Sequence, residues 1–271
     1  MNPGEFRNLI DSRYKTTGKF PVMFIGHGNP MNAIEENEFS EGWKTAGTVL
    51  PRPNAILCIS AHWLTRGTFI NFSPNPVTIH DFYGFPPELF AVQYPAPGDP
   101  ETAQKIVDHV KKTSVAKNLD WGLDHGCWSV LNKMYPEADI PVFQMSIDYT
   151  RPEAYHLELG AELDFLRQRG VLIFASGNIV HNLRTMVWKD VAYDWALEFD
   201  ETAKSRILQR DFNSLVRYPE LGTAALNSIP TNDHYLPMFY ALSQIRGSDE
   251  VEFFNEKVTA GSVSMRSFII Y

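Results

Sequence analysis

Apolar positions along this chain follow two rhythms. Three short unbroken runs, Pro21-Val22-Met23-Phe24-Ile25-Gly26, Ile56-Leu57-Cys58-Ile59-Ser60-Ala61 and Val171-Leu172-Ile173-Phe174-Ala175-Ser176-Gly177, have the length and small-residue borders of strands buried on both faces. The pattern predicts strands at 21–26, 55–61, 68–72, 140–146, 171–176 and 263–270. Between them the apolar residues recur at helical spacing. Asp99-Pro100-Glu101 places a capping side chain before a proline at the first helical position, and Ala103, Ile106, Val107 and Val110 continue with the helical period. Helices are also expected over 127–135, over 153–169 up to Gly170, and over 194–212. A last one opens near Thr231-Asn232-Asp233 and carries Tyr235, Leu236, Phe239, Tyr240 and Leu242. Residues 1–18 read as a peripheral segment, partly helical. Alternating strands and helices predict an α/β fold. One domain over 1–271 is expected, with a central, mostly parallel or mixed sheet flanked by helices.

One stretch breaks both rhythms. Residues 73–98 hold prolines 74, 76, 86, 87, 95 and 97 among aromatics 82, 83, 85, 90 and 94. A connection this long inside a compact domain is either a binding loop or lid, or a rigid packed excursion with no part in the chemistry. The sequence leaves both open.

Composition narrows the function classes. The chain has 271 residues, 44% of them hydrophobic, which is enough for a large core without staples. Its formal net charge of −8 provides no basic footprint for nucleic acid or an anionic membrane surface. Two cysteines, Cys58 and Cys127, do not make a disulfide framework, and Cys58 sits inside an apolar run as a buried thiol would. A reducing compartment follows. No apolar run reaches the ~18 residues of a membrane span, and the polar N-terminal residues lack a secretory or transit pattern. A soluble, cytoplasmic protein is expected.

The chemistry lies at the ends of the strands. The first two runs lead directly into His27 and His62, and the third reaches His181 through Asn178-Ile179-Val180. Ligands of open α/β sheets gather outside the carboxyl ends of strands, so these imidazoles are delivered to one edge. Imidazole is the commonest metal-binding side chain, and His27 is flanked by Gly26 and Gly28, which allow a tight turn. His234 falls near the last helix start. His109 and His156, within predicted helices, read as surface or packing residues. Closed structural sites favour four ligands, often thiolates, whereas catalytic ones keep a position open. The lack of cysteine candidates favours an open site suited to zinc or non-haem iron. Asp124-His125 and His80-Asp81 each set a carboxylate beside an imidazole, as orienting pairs, acid–base groups or plain loop hydrogen bonds. No nucleophile elbow, Walker loop or dinucleotide-binding glycine loop is present.

The motifs Gly26-His27-Gly28-Asn29-Pro30, Ser60-Ala61-His62-Trp63, Ile79-His80-Asp81-Phe82-Tyr83-Gly84-Phe85-Pro86, Tyr94-Pro95-Ala96-Pro97-Gly98, Asp124-His125-Gly126-Cys127-Trp128, Ser176-Gly177-Asn178-Ile179-Val180-His181-Asn182 and His234-Tyr235-Leu236-Pro237 occur in this order. Together, from about residue 20 to the end, they resemble the DOPA 4,5-dioxygenase branch of the class III extradiol ring-cleavage dioxygenases, the LigB family. The resemblance implies a fold like the protocatechuate 4,5-dioxygenase β-subunit and a mononuclear metal held by His27, His62 and His234. It implies His181 beside that metal, as an acid–base group or fourth ligand, and His125 near the bound catechol. It implies Fe(II) for activity, with Zn(II) as an occupant of the isolated protein. The implied partners are a small catechol and O2, with no nucleic acid or membrane, in a monomer or small homo-oligomer. Many non-haem iron oxygenases use two histidines and a carboxylate, whereas the third ligand here is a histidine, which zinc also accepts. A zinc hydrolase on the same histidines is therefore the enzymatic alternative, and a catalytically silent catechol-binding protein the other. Arg184 reads either as a partner for a substrate carboxylate or as a surface salt bridge.

Overall fold

The computed structural model describes residues 2–271. Six strands form the central sheet: β1 (Val22–Gly26), β2 (Ala55–Ser60), β3 (Val142–Gln144), β4 (Val171–Gly177), β5 (Val251–Phe254) and β6 (Ser267–Ile270). Their order across the sheet is β3-β2-β4-β1-β6-β5. The first four are parallel, and β6 and β5 add an antiparallel edge, so the sheet is mixed. β4 is central. It pairs Ser176 with Ser60 of β2 and Gly177 with Gly26 of β1, which brings the carboxyl ends of three strands into register.

The continuous apolar runs have the physical basis inferred for them. Side chains alternate between the faces of a strand, and both faces here are covered. Val22 and Phe24 of β1, with Ile173 and Ala175 of β4, enter one core beneath helices Pro100–His109, Glu153–Ala161, Asp194–Leu208 and Pro237–Leu242. Met23, Ile25, Leu172 and Phe174 enter the other, beneath helices Glu38–Val49 and His125–Met134. The N-terminal segment is a helix, Pro3–Thr17, that packs Phe6 and Ile10 into this second core. Among the described residues no helix is long and apolar enough to cross a membrane.

Four expected elements are broken or shifted, three of them because a tertiary contact overrides the local pattern. The 263–270 run is two strands, Val263–Ser264 and Ser267–Ile270. Between them Arg266 turns inward and binds the buried carboxylate of Asp200, with Glu201 and Glu256 alongside. The 153–169 helix stops at Ala161 and resumes as a 3-10 turn, Asp164–Arg169, in which buried Arg167 reaches the Phe20 carbonyl at 2.8 Å and the Gln244 carbonyl at 3.0 Å. The 194–212 helix ends at Leu208, and Asp211 caps a new short helix. The last helix begins at Pro237 rather than near 231, because the His234 carbonyl is taken by the Asn178 amide at 2.8 Å and is withheld from a helical ladder.

The 73–98 stretch combines both readings. Leu89, Tyr94 and Ala96 are buried. The Tyr94 hydroxyl donates to the Tyr135 carbonyl at 3.0 Å, and the Trp128 indole donates to the Ile79 carbonyl at 2.8 Å. Only its turn around residues 81–85 faces the cavity described next.

Candidate metal centre

The end of β4 ties the site together through its backbone. The Gly177 carbonyl accepts the His27 amide at 3.1 Å, and the Ser176 carbonyl accepts the Ala61 amide, next to His62, at 2.9 Å. The Asn178 amide donates to the His234 carbonyl at 2.8 Å. Three consecutive residues thus fix three histidine-bearing segments distant in sequence. Two glycines are required by this crowding. A Cβ on Gly177 would lie 2.1 Å from the His234 carbonyl oxygen, and Gly28, just after His27, has φ +57°, where side chains are disfavoured.

The three imidazoles converge. The Nε2 atoms of His27 and His62 are 3.1 Å apart, and one nitrogen each of His27, His62 and His234 lies within 4.8 Å of the others. The far side of each ring sets its tautomer. Ser176 Oγ donates to the Gly126 carbonyl at 2.6 Å, so at 3.0 Å from His27 Nδ1 it accepts that N–H. Asp233 Oδ2 accepts from His234 Nδ1 at 2.7 Å, and Asp81 Oδ2 sits 3.3 Å from His62 Nδ1. The outward nitrogens of His27 and His234 thus each meet an oxygen acceptor, that of His62 faces a carboxylate, and the inner edges of the three rings face one point. Burial, with mutual repulsion among the ring charges, holds His27 and His62 well below the ordinary histidine pKa, so both are neutral. A neutral His27 with its Nδ1 proton held by Ser176 offers a bare Nε2 that a cation or an N–H can meet. Metal–imidazole bonds of ~2.0–2.1 Å put adjacent ligand nitrogens about 3.0–3.4 Å apart, which the His27–His62 separation matches. The residues fit a divalent metal.

Two further imidazoles flank this group. The His181 ring stacks on His234 at 3.5 Å and an 11° interplanar angle, near Asp233. Burial, followed by the His234 charge, keeps His181 well below the usual range although Asp233 pulls the other way. His125 lies against His62 at 3.9 Å between ring centroids. Its Nδ1 is 3.0 Å from Asp81 Oδ1 but out of line for a hydrogen bond, while its backbone N–H donates to the same oxygen at 2.9 Å. Burial alone would raise the Asp81 pKa; the His125 contacts outweigh it and hold the carboxyl ionised.

The sequence pairs resolve differently from their adjacency. Asp124 does not orient His125. It caps the helix that His125 opens, accepts from Ser60 Oγ at 2.7 Å and Gln144 Nε2 at 2.8 Å, and is pushed up to about 6 by burial. His80 does not pair with Asp81; its Nε2 meets the Val92 carbonyl at 2.9 Å and fastens the proline-rich stretch. Arg184 is exposed, lies outside the cavity and forms no ion pair among the described residues, so neither role expected of it is seen. His156 is packed, as read, against the Tyr240 hydroxyl at 2.9 Å. Sequence reading offered Asp81 as an orienting carboxylate but beside the wrong imidazole, His80, and missed Ser176 and Asp233 as ring partners. Of the two missed, only Asp233, adjacent to His234, carried a visible signal.

The histidines line a cavity of about 580 Å³, with Phe39, Phe82, Phe85, Leu183, Met186 and Trp188 among its walls.

Comparison with known proteins agrees with this geometry. Residues 22–267 match the family described as the catalytic LigB subunit of aromatic ring-opening dioxygenase. The Escherichia coli (strain K12) protein named 4,5-DOPA dioxygenase extradiol is 42% identical over 265 residues, covering 96% of this chain and 97% of that one. Proteins of the same name from Mirabilis jalapa and Beta vulgaris are 32% and 34% identical, covering 89% and 91% of this chain and 92% and 95% of theirs. The crystal structure of an uncharacterized protein from Escherichia coli K12 superposes with a TM-score of 0.82 at 40% identity, covering 93% of this chain and 100% of that one. The chain belongs to the LigB family of extradiol ring-cleaving dioxygenases. Such enzymes are metal dependent and act on a catechol with O2.

Proposed function

We propose that residues 1–271 form one catalytic domain that binds Fe(II) through His27, His62 and His234. In this reading it cleaves a small catechol such as DOPA at the 4,5 bond, incorporating both atoms of O2. The observation that carries the proposal is the convergence of His27, His62 and His234 on one point, with His27 and His62 held neutral by burial and their Nε2 atoms 3.1 Å apart. Bound there, the metal supplies Lewis acidity toward the catechol hydroxyls and an electron path between ring and O2.

The remaining imidazoles supply proton transfer. His181, neutral and stacked on His234, takes a proton from a catechol hydroxyl, and the nearby Asp233 carboxylate stabilises the imidazolium that forms. His125 has its Nδ1 turned to Asp81, which leaves Nε2 to donate or accept toward the substrate. Acid–base help of this kind contributes about 10²–10⁴-fold. The aromatic and aliphatic walls give a bound ring an apolar surface to pack against. The acidic chain, with Cys58 and Cys127 buried as free thiols, fits a reducing, cytoplasmic setting.

Three histidines also suit catalytic zinc, which would make a hydrolase. Oxygen uptake separates the two. Protein reconstituted anaerobically with Fe(II) is expected to consume one O2 per DOPA on exposure to air and to form a yellow ring-opened semialdehyde, while Zn(II)-loaded protein consumes none. Absence of uptake with Fe(II) across a panel of catechols would refute the proposal.

A further inference from the structure

The cavity is larger than a catechol ring requires. Pockets of roughly 300–1,000 Å³ enclose drug-sized ligands, and about 580 Å³ leaves room beyond the histidines for a substituent. Three non-histidine charged side chains line it, namely Asp81, Lys189 and Asp190. Asp81 is committed to His62 and His125, and Asp190 to Lys257 at 2.9 Å. Among the described residues Lys189 Nζ has no ion pair and no side-chain hydrogen bond, and it is exposed. Beside it Trp188 is 72% exposed, and Tyr83, which also lines the cavity, is 92% exposed. Both rings are largely open to solvent at the cavity, where they can contact a bound ligand.

Resting on the catechol-cleaving reading above, we infer that Lys189 is a specificity-determining residue that binds a carboxylate at the end of the catechol's side chain. The cavity has no uncommitted carboxylate to receive an ammonium. The substrate class is therefore catechols with an anionic side-chain terminus, whether or not an amino group is also present. Trp188 and Tyr83 flank the connecting carbons.

The test is calorimetric binding to full-length, Zn(II)-loaded protein under anaerobic conditions, where turnover does not intervene, repeated as kcat/KM with Fe(II). The probes are 3-(3,4-dihydroxyphenyl)propionate, DOPA, dopamine and 4-methylcatechol. The propionate is expected to bind at least as tightly as DOPA, and both about tenfold more tightly than dopamine. In Lys189→Gln the affinity ratio of the propionate to 4-methylcatechol falls about tenfold, about 1.4 kcal/mol; Lys189→Arg retains it, and Arg184→Gln, outside the cavity, does not move it. An unchanged ratio in Lys189→Gln, or dopamine binding as tightly as the propionate, overturns the inference while leaving catechol cleavage intact. Failure of all four catechols to bind or react would remove the catechol-site reading and this inference with it.

Discussion

Ser176→Ala tests how the protein holds His27, the first of the proposed ligands. Ser176 Oγ is fully buried, accepts from His27 Nδ1 at 3.0 Å and donates to the Gly126 carbonyl at 2.6 Å. That two-way bond makes Nδ1 the protonated nitrogen and leaves Nε2 bare. Alanine removes one oxygen and adds no bulk. The Nδ1–H is then a buried donor without a partner, a cost of about 1–3 kcal/mol. The other tautomer becomes competitive, and metal must reverse it to bind. Loss of such an orienting partner typically weakens metal affinity about 10–100-fold, or roughly 1.4–2.7 kcal/mol. The assay is competition with a chromophoric chelator for Zn(II) or Fe(II), with thermal unfolding of the metal-free protein alongside. A purely structural role for Ser176 would lower Tm of the metal-free protein and leave affinity untouched. Ser176→Thr, which keeps the oxygen, is expected to restore much of the affinity. Wild-type affinity in a folded Ser176→Ala protein would refute the tautomer reasoning.

Three further outcomes follow from the same geometry. Gly177→Ala forces its Cβ against the His234 carbonyl and is expected to displace that proposed ligand, so metal content falls well below one per chain even in protein that still folds; full occupancy would show the approach is not required. Asp81→Asn withdraws a negative charge shared by His62 and His125 and should lower kcat about 10–100-fold with less effect on metal content, measured on Fe(II)-loaded enzyme; unchanged kcat would remove Asp81 from the proton-transfer scheme. Metal-free protein should lose stability as pH falls below about 6.5, because the unfolded chain takes up protons that folded His27, His62, His181 and His156 refuse. Burial holds His156 to about 4, which alone is worth on the order of 3 kcal/mol by the time both states are protonated, while Asp124, raised to about 6, offsets part of the loss; a Tm flat between pH 7.5 and 5 would contradict the burial argument.

The site was legible where local pattern and tertiary geometry coincide. Buried parallel strands must be continuous apolar runs, and the residues just past them must be small where segments crowd, so His27 and His62 announce themselves through Gly26, Gly28, Ser60 and Ala61. His234 was less visible from periodicity, since its position depends on a carbonyl diverted to Asn178 rather than on a helix start. The orienting partners were hidden for a related reason. Asp81 stands 19 residues after His62 and 44 before His125, and only the path of the proline-rich stretch brings it between them. Sequence adjacency favoured Asp124 as the partner of His125, but that carboxylate faces the helix start and the buried Gln144. Inward-turned Arg266 and Arg167 cut expected elements short for the same cause: their acceptors lie 66 and 147 residues away.

Anomalous diffraction from crystals loaded anaerobically with Fe(II) would show whether the histidines hold a metal. A single strong iron peak is expected within about 2.0–2.3 Å of Nε2 of His27, His62 and His234 together. No peak there, or a peak bound to other side chains with these three rings left unligated, would contradict it.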